Sequence, residues 1–206
     1  MKRIVYIAVA AVALAACTKT EVSNKSIDTN APIAFTAYNT NKPAGTKAMI
    51  EGKIYTPDCP TFMAKAFYLD EGKTWAADST EATSYMPDSE VKWNEDSSIW
   101  ITDVLYYWPK SNGSLTFMAY TPASISDYVS FNKEAVNGVE ITEAYNVEEH
   151  QDVDFMVADI MRDLTYSTAS ATYEYVNEDE GYNVSYGSAV QALFRHKLSQ
   201  IAGINI

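Results

Sequence analysis

The chain has 206 residues, 47% of them hydrophobic and 20% charged, a composition that supplies a core for one domain and excludes a disordered polyelectrolyte. Asp and Glu outnumber Lys and Arg by 27 to 15, for a formal net charge of −12. This excludes general nucleic-acid binding, which needs a basic face, and argues against electrostatic attachment to anionic lipid. Two Cys and two His are too few for a zinc site of the ribbon or finger type.

The first segment sets the compartment. Met1-Lys2-Arg3 is a short positive region, and Ile4–Leu14 is an apolar run too short to span a bilayer, which takes about 20 residues. It has the size of the apolar region of a signal peptide. Leu14-Ala15-Ala16-Cys17 follows at once and resembles the bacterial lipobox, in which small residues precede a Cys that receives lipid before cleavage. Residues 1–16 are thus expected to be a lipoprotein signal peptide, Cys17 the lipidated residue, and the membrane a partner through that lipid. Residues 17–32 are polar and read as a tether; Thr18–Pro32 reaches roughly 50 Å if extended. With Cys17 acylated, Cys59 has no partner for an intramolecular disulfide. Its setting, Pro57-Asp58-Cys59-Pro60, suggests a turn and an inert thiol, since nothing nearby in sequence would lower its pKa.

From residue 33 the chain reads as short strands. Ile33–Tyr38 alternates, with Ile33, Phe35 and Ala37 on one face, the period of a strand. Asn39–Gly45 is a loop, Phe62–Leu69 a second strand, and Glu71-Gly72 a turn. Thr74–Asp96 reads as loops with one short strand around Val91–Trp93. Trp100–Tyr107 and Leu115–Tyr120, separated by a turn at Asn112-Gly113, predict a hairpin. Val153–Ala158 predicts a strand, and Ala171–Val176 with Tyr182–Tyr186 a second hairpin with an acidic tip. Ser188–Phe194 reads as a strand. Phe194, Leu198 and Ile201 recur at helical spacing and predict a short helix or turn over His196–Ile201, after which Ala202–Ile206 resembles the start of another strand. The expected fold is all-β, an antiparallel sandwich over residues 33–206 with one short helix near the C-terminus.

Taken together these segments resemble the fimbrillin-like family of Bacteroides-type bacteria. The matching pieces are Cys17, Ile33-Ala34-Phe35, Thr46-Lys47-Ala48, Tyr106-Tyr107-Trp108-Pro109 with Leu115–Pro122, Asp154–Ala158, and Leu193–Ile201. The resemblance covers about the first domain of a two-domain protein, so the family's second domain is missing after Ile206. It implies a transthyretin-like Greek-key sandwich in a lipid-anchored outer-membrane protein, exposed at the cell surface. Such a protein builds or anchors fimbriae in adhesion, with other fimbrial subunits and a host glycan or protein receptor as partners, and with no cofactor. It also implies strand exchange. A cut after a basic residue, here Lys47 with Ala48 as the new first residue, would free the first strand carrying Ile33, Phe35 and Ala37, and a strand from the next subunit would fill the groove. Position 47 holds Lys where the family usually has Arg, so an Arg-specific protease would not cut here.

No catalytic constellation is expected. His196 has no acid or nucleophile at a supporting spacing and reads as structural. His150 with Asp152 and Asp154 falls short of a metal set, and Asn177–Gly181 lacks the pattern of a calcium loop. The second function class is a surface carbohydrate-binding lipoprotein. For that role Trp75 and Trp93, in loop-like contexts, are the candidates for stacking on sugars, while Trp100 and Trp108 flank a strand and are expected in the core.

Overall fold

The computed structural model describes residues 30–39, 61–146, 148–150, 153–169, 171–177 and 183–196. They form mostly strands: β1 (Ala34–Asn39), β2 (Phe62–Leu69), β3 (Thr83–Asn94), β4 (Ile99–Thr102), β5 (Ser114–Thr121), β6 (Val129–Phe131), β7 (Val139–Ile141), β8 (Met156–Ala158), β9 (Met161–Leu164), β10 (Ala171–Asn177) and β11 (Asn183–His196). One α-helix, α1 (Trp75–Asp78), is described.

Seven strands pair in the order β1-β4-β3-β2-β5-β8-β11, and β11 returns to β1, so the sheet closes on itself like a barrel. The closing pair is parallel, running from Ala34↔Ala189 to Asn39↔Phe194; the other pairs are antiparallel. Ala189 pairs with both Ala34 and Ala171, and Phe194 with both Asn39 and Ala158. One edge of the long β11 therefore carries β10 and then β8, and its opposite edge carries β1. Outside the ring, β9 pairs with β5, and β6 and β7 form a separate ribbon.

Side-chain size explains how the ring fills. Phe62, Ala64 and Ala66 of β2, Leu115, Phe117 and Ala119 of β5, and Val190, Ala192 and Phe194 of β11 alternate into one core cluster. Alanines facing the interior leave room for the rings of Phe35, Phe62, Phe117, Phe194, Trp100 and Trp108, the small-with-large arrangement that packs a small barrel. The outer face of β5 is buried too. Met118 lies in a second cluster with Phe67 and Trp75 under α1, and Tyr120 in a third with Val129 and Phe155. A strand covered on both faces reads as a continuous apolar run, which is why Leu115–Tyr120 shows no alternation.

The structure corrects several expectations. The closed ring replaces two separate sheets. The α-helix lies at Trp75–Asp78, whereas His196, the expected start of a C-terminal helix, is the last residue of β11 and pairs with Met156; residues 197–206 lie outside the described residues. Thr83–Asn94 is one long strand, not loops around Val91–Trp93. Only Met86 and Val91 of it are deeply buried, too few to raise a period-2 signal. The predicted pairing of Trp100–Tyr107 with Leu115–Tyr120 does not form. Strand β4 stops at Thr102 and pairs with β3 and β1, while β5 pairs with β2. A tight turn over residues 95–98, with Ser98 at φ 51°, supplies the hairpin instead. Of Val153–Ala158 only the last three residues are strand. The β10–β11 hairpin forms in the expected place.

The turn before β5 is tightly packed. A Cβ on Gly113 would overlap the Leu69 carbonyl oxygen and the Tyr68 ring. Gly113→Ala is expected to destabilise the fold by about 1–3 kcal/mol, read as a lower urea midpoint at unchanged slope. An unchanged midpoint would mean that this turn is not packed as described.

Candidate functional site

The candidate site is the seat of β1 in the ring. Ile33, Phe35 and Ala37 point into the core and are 1%, 0% and 4% exposed. The Phe35 ring meets Phe62 and Phe117 edge-on, with centroids 5.7 and 5.6 Å away. On its other face Ala34 packs with Ile99 and Ala189, while Thr36 and Tyr38 are half-buried.

The backbone of β1 is held unequally. Along β11 all six residues find partners in parallel register. Toward β4 the ladder is one residue pair, Phe35↔Trp100. Before the strand, Ile33 N–H donates to the Tyr106 carbonyl at 2.6 Å, and Pro32 forms an isolated bridge with Tyr107. The Thr36 hydroxyl is buried with no hydrogen-bond partner, a loss of about 1–3 kcal/mol for a polar group taken from water. The seat thus combines a well-filled apolar groove with a weakly laddered edge.

The other predicted residues fall as follows. Cys17, Lys47, Ala48 and Cys59 lie outside the described residues. Trp100 and Trp108 are in the core at 1% and 3% exposure, and the Trp108 indole N–H donates to the Ser188 carbonyl at 3.4 Å. Trp75, expected at the surface, is 6% exposed. Its ring packs on Phe67 at 5.7 Å, and its backbone N–H donates to the Asp163 carboxylate at 2.8 Å. Trp93 is half-buried, edge-on to Trp100 at 5.7 Å. These two indoles do not make a solvent-facing platform.

The fold also makes a pair that sequence spacing hides. His196 Nδ1 lies 2.5 Å from Asp154 Oδ1, although the two are 42 residues apart. Next to His196, the Arg195 guanidinium grips Asp159 with bonds of 2.8 and 3.0 Å, and that carboxylate holds the Arg195 pKa above its usual value. His196 therefore has an acid partner, supplied by the strand pairing of β8 with β11. His150 is placed differently from a metal ligand: its Nδ1 lies 2.7 Å from the Asn146 carbonyl and its ring stacks on Tyr145 at 4.6 Å. Among the described residues no group of three or more His, Cys, Asp or Glu converges. The partnership of β1 with β11 was likewise missed. The available signal was the matching alternation of Ile33, Phe35 and Ala37 with Val190, Ala192 and Phe194.

Comparison with known proteins adds one finding. Residues 1–18 match the description of the prokaryotic membrane lipoprotein lipid attachment site. No curated protein and no solved structure matches the chain. The attachment site defines a membrane-anchored lipoprotein, and the domain it carries is a closed, mostly β fold.

Proposed function

We propose that this lipoprotein is a fimbrial subunit or fimbria-anchoring protein of the outer membrane, exposed at the cell surface and acting in adhesion and assembly by β-strand exchange. Its work is mechanical, with no catalysis and no cofactor. The observation that carries the reading is the seat of β1: core side chains at alternate positions, a full ladder on one edge only, and a buried unpaired hydroxyl at Thr36. A strand of this kind can be replaced, because a second strand that fills the pockets of Ile33, Phe35 and Ala37 and pairs with β11 restores most of what is lost. A parallel ladder is slightly weaker per residue than an antiparallel one, so an incoming strand running antiparallel to β11 has an advantage. The order β1-β4-β3-β2, three consecutive strands with the first returned beside the last, supports the Greek-key, transthyretin-like arrangement that goes with this reading.

Partners are other fimbrial subunits, the outer membrane through lipid on Cys17, and a host glycan or protein receptor. A carbohydrate platform on Trp75 and Trp93 is disfavoured by the burial of Trp75.

Intact mass of the native protein in outer-membrane and sheared-fimbria fractions tests the proposal. Strand exchange predicts a fimbrial species beginning at Ala48, cut after Lys47. An acylated species beginning at Cys17 and confined to the outer membrane would support the anchor role instead. Chains beginning at Cys17 within assembled fimbriae would sink exchange of β1.

A further inference from the structure

The chain entering from Cys17 meets the fold at an exposed apolar run. Pro32 bridges to Tyr107, and in the segment after β4 Val104, Leu105 and Tyr107 are 66%, 43% and 47% exposed. These residues are braced. The Thr102 hydroxyl donates to the Val104 carbonyl at 2.7 Å, and the Tyr85 hydroxyl to the Tyr107 carbonyl at 2.6 Å. Asp103, beside them, pairs with Lys92 at 2.7 Å, a cation that Glu90 shares at 3.5 Å. The run leads into a polar cleft of about 550 Å³ between Asn30, the turn 109–113 and the turn 165–167. Within it stand Lys110, which has no carboxylate partner among the described residues, and the half-exposed Tyr166.

Along the chain from Val104 to Lys110 the exposed side chains run aliphatic, aromatic, then cationic, the order met on passing from the acyl boundary of a bilayer to its headgroups. We propose that this face docks on the bilayer that holds the lipid of Cys17. Val104 and Leu105 enter the acyl boundary, Tyr107 and Tyr166 lie at headgroup level, and Lys110 meets lipid phosphate. The occupant follows from the tether: residues 18–29 span at most roughly 40 Å, so the anchored lipid keeps this face at high effective concentration near the membrane, and a contact too weak to bind alone is enough to orient the domain. Loss of Lys2 and Arg3 with the signal peptide takes the formal net charge from −12 to −14, which removes attraction to anionic lipid as a driving force, so docking takes place on zwitterionic bilayers. The inference rests on the lipid attachment site and not on fimbrial assembly.

The test uses the full acylated chain in phosphatidylcholine vesicles containing nitroxide-headgroup lipid. A fluorophore is placed at Leu105→Cys in a Cys59→Ser background, or at Val136→Cys, which is 89% exposed on the turn between β6 and β7. The Leu105 label is expected to lose most of its emission and the Val136 label little. Adding Val104→Asp is expected to restore the Leu105 emission while the protein still floats with the vesicles. Protein that floats with its Leu105 label unquenched, with both labels quenched equally, or with quenching insensitive to Val104→Asp overturns docking and leaves the lipid anchor standing.

Discussion

Phe35→Ala is expected to destabilise the domain by about 3–5 kcal/mol, the usual loss for a buried Phe truncated in a packed core. For a domain of this size that corresponds to roughly 10 °C in Tm. The value belongs at the upper end because the ring is fully buried and meets two other rings edge-on, and such contacts add about 0.5–1.5 kcal/mol beyond area burial. Urea unfolding of the two proteins side by side checks it. A loss below about 1 kcal/mol would be an effect typical of a surface position and would contradict the seat of β1. If the proposed strand exchange vacates and refills this pocket, the same number measures how strongly the resident strand resists replacement. Variants with Phe35→Ala are expected to exchange β1 faster.

Raising the pH from 10 to 12 is expected to remove roughly 2 kcal/mol of stability through Tyr120. The phenol is 1% exposed, and its hydroxyl donates to the Val129 carbonyl at 3.3 Å. Burial, with lesser help from the carboxylates of Asp88 and Asp127, pushes its pKa up from 10.0 to about 12. The folded chain therefore holds the phenol proton more tightly than the unfolded chain. That stability is fully present below pH 10 and is lost as pH rises through about 12. Lys73 and Lys92 contribute in the same direction, since the hydrogen bonds they donate to Glu81 and Asp103 raise their pKa values, but both are exposed pairs of small weight. Tyr120→Phe separates the two. It is expected to lower stability by about 1 kcal/mol at neutral pH through the lost hydrogen bond and to flatten most of the alkaline decline. An unchanged decline in the Phe variant would assign it to other groups.

Both residues sit where the sequence was legible to different degrees. Phe35 was found by alternation with Ile33 and Ala37, because one face of β1 fills the core and its neighbours toward solvent are smaller or polar. Tyr120 closed a predicted strand, yet nothing in Leu115–Tyr120 announced which residues face inward. The outer face of β5 is covered by α1 and by the β6–β7 ribbon, elements whose own sequences carry almost no periodicity. The same cover buries Trp75, which looked like a loop indole when only its sequence neighbours were in view. Strand β3 was missed for the opposite reason: it is long but only two of its twelve residues are buried, and its polar residues read as loop.

Local sequence by itself determined the lipid attachment site, since the charged start, apolar run and Cys17 are read as a linear signal. It also determined the all-β character of the domain, the extents of β1 and β2 to within a residue, and the β10–β11 hairpin, where adjacent segments pair through one turn. Tertiary structure alone decided the partners of the other strands. Strand β1 lies against β11, more than 150 residues away in the chain, and Trp100 faces Phe35 and not the segment beyond the Asn112-Gly113 turn. Strand pairing depends on which apolar faces can be buried together, a property of the closed ring as a whole. The same closure brought Asp154 to His196 and left Val104, Leu105 and Tyr107 exposed, with Tyr107 bridged to Pro32.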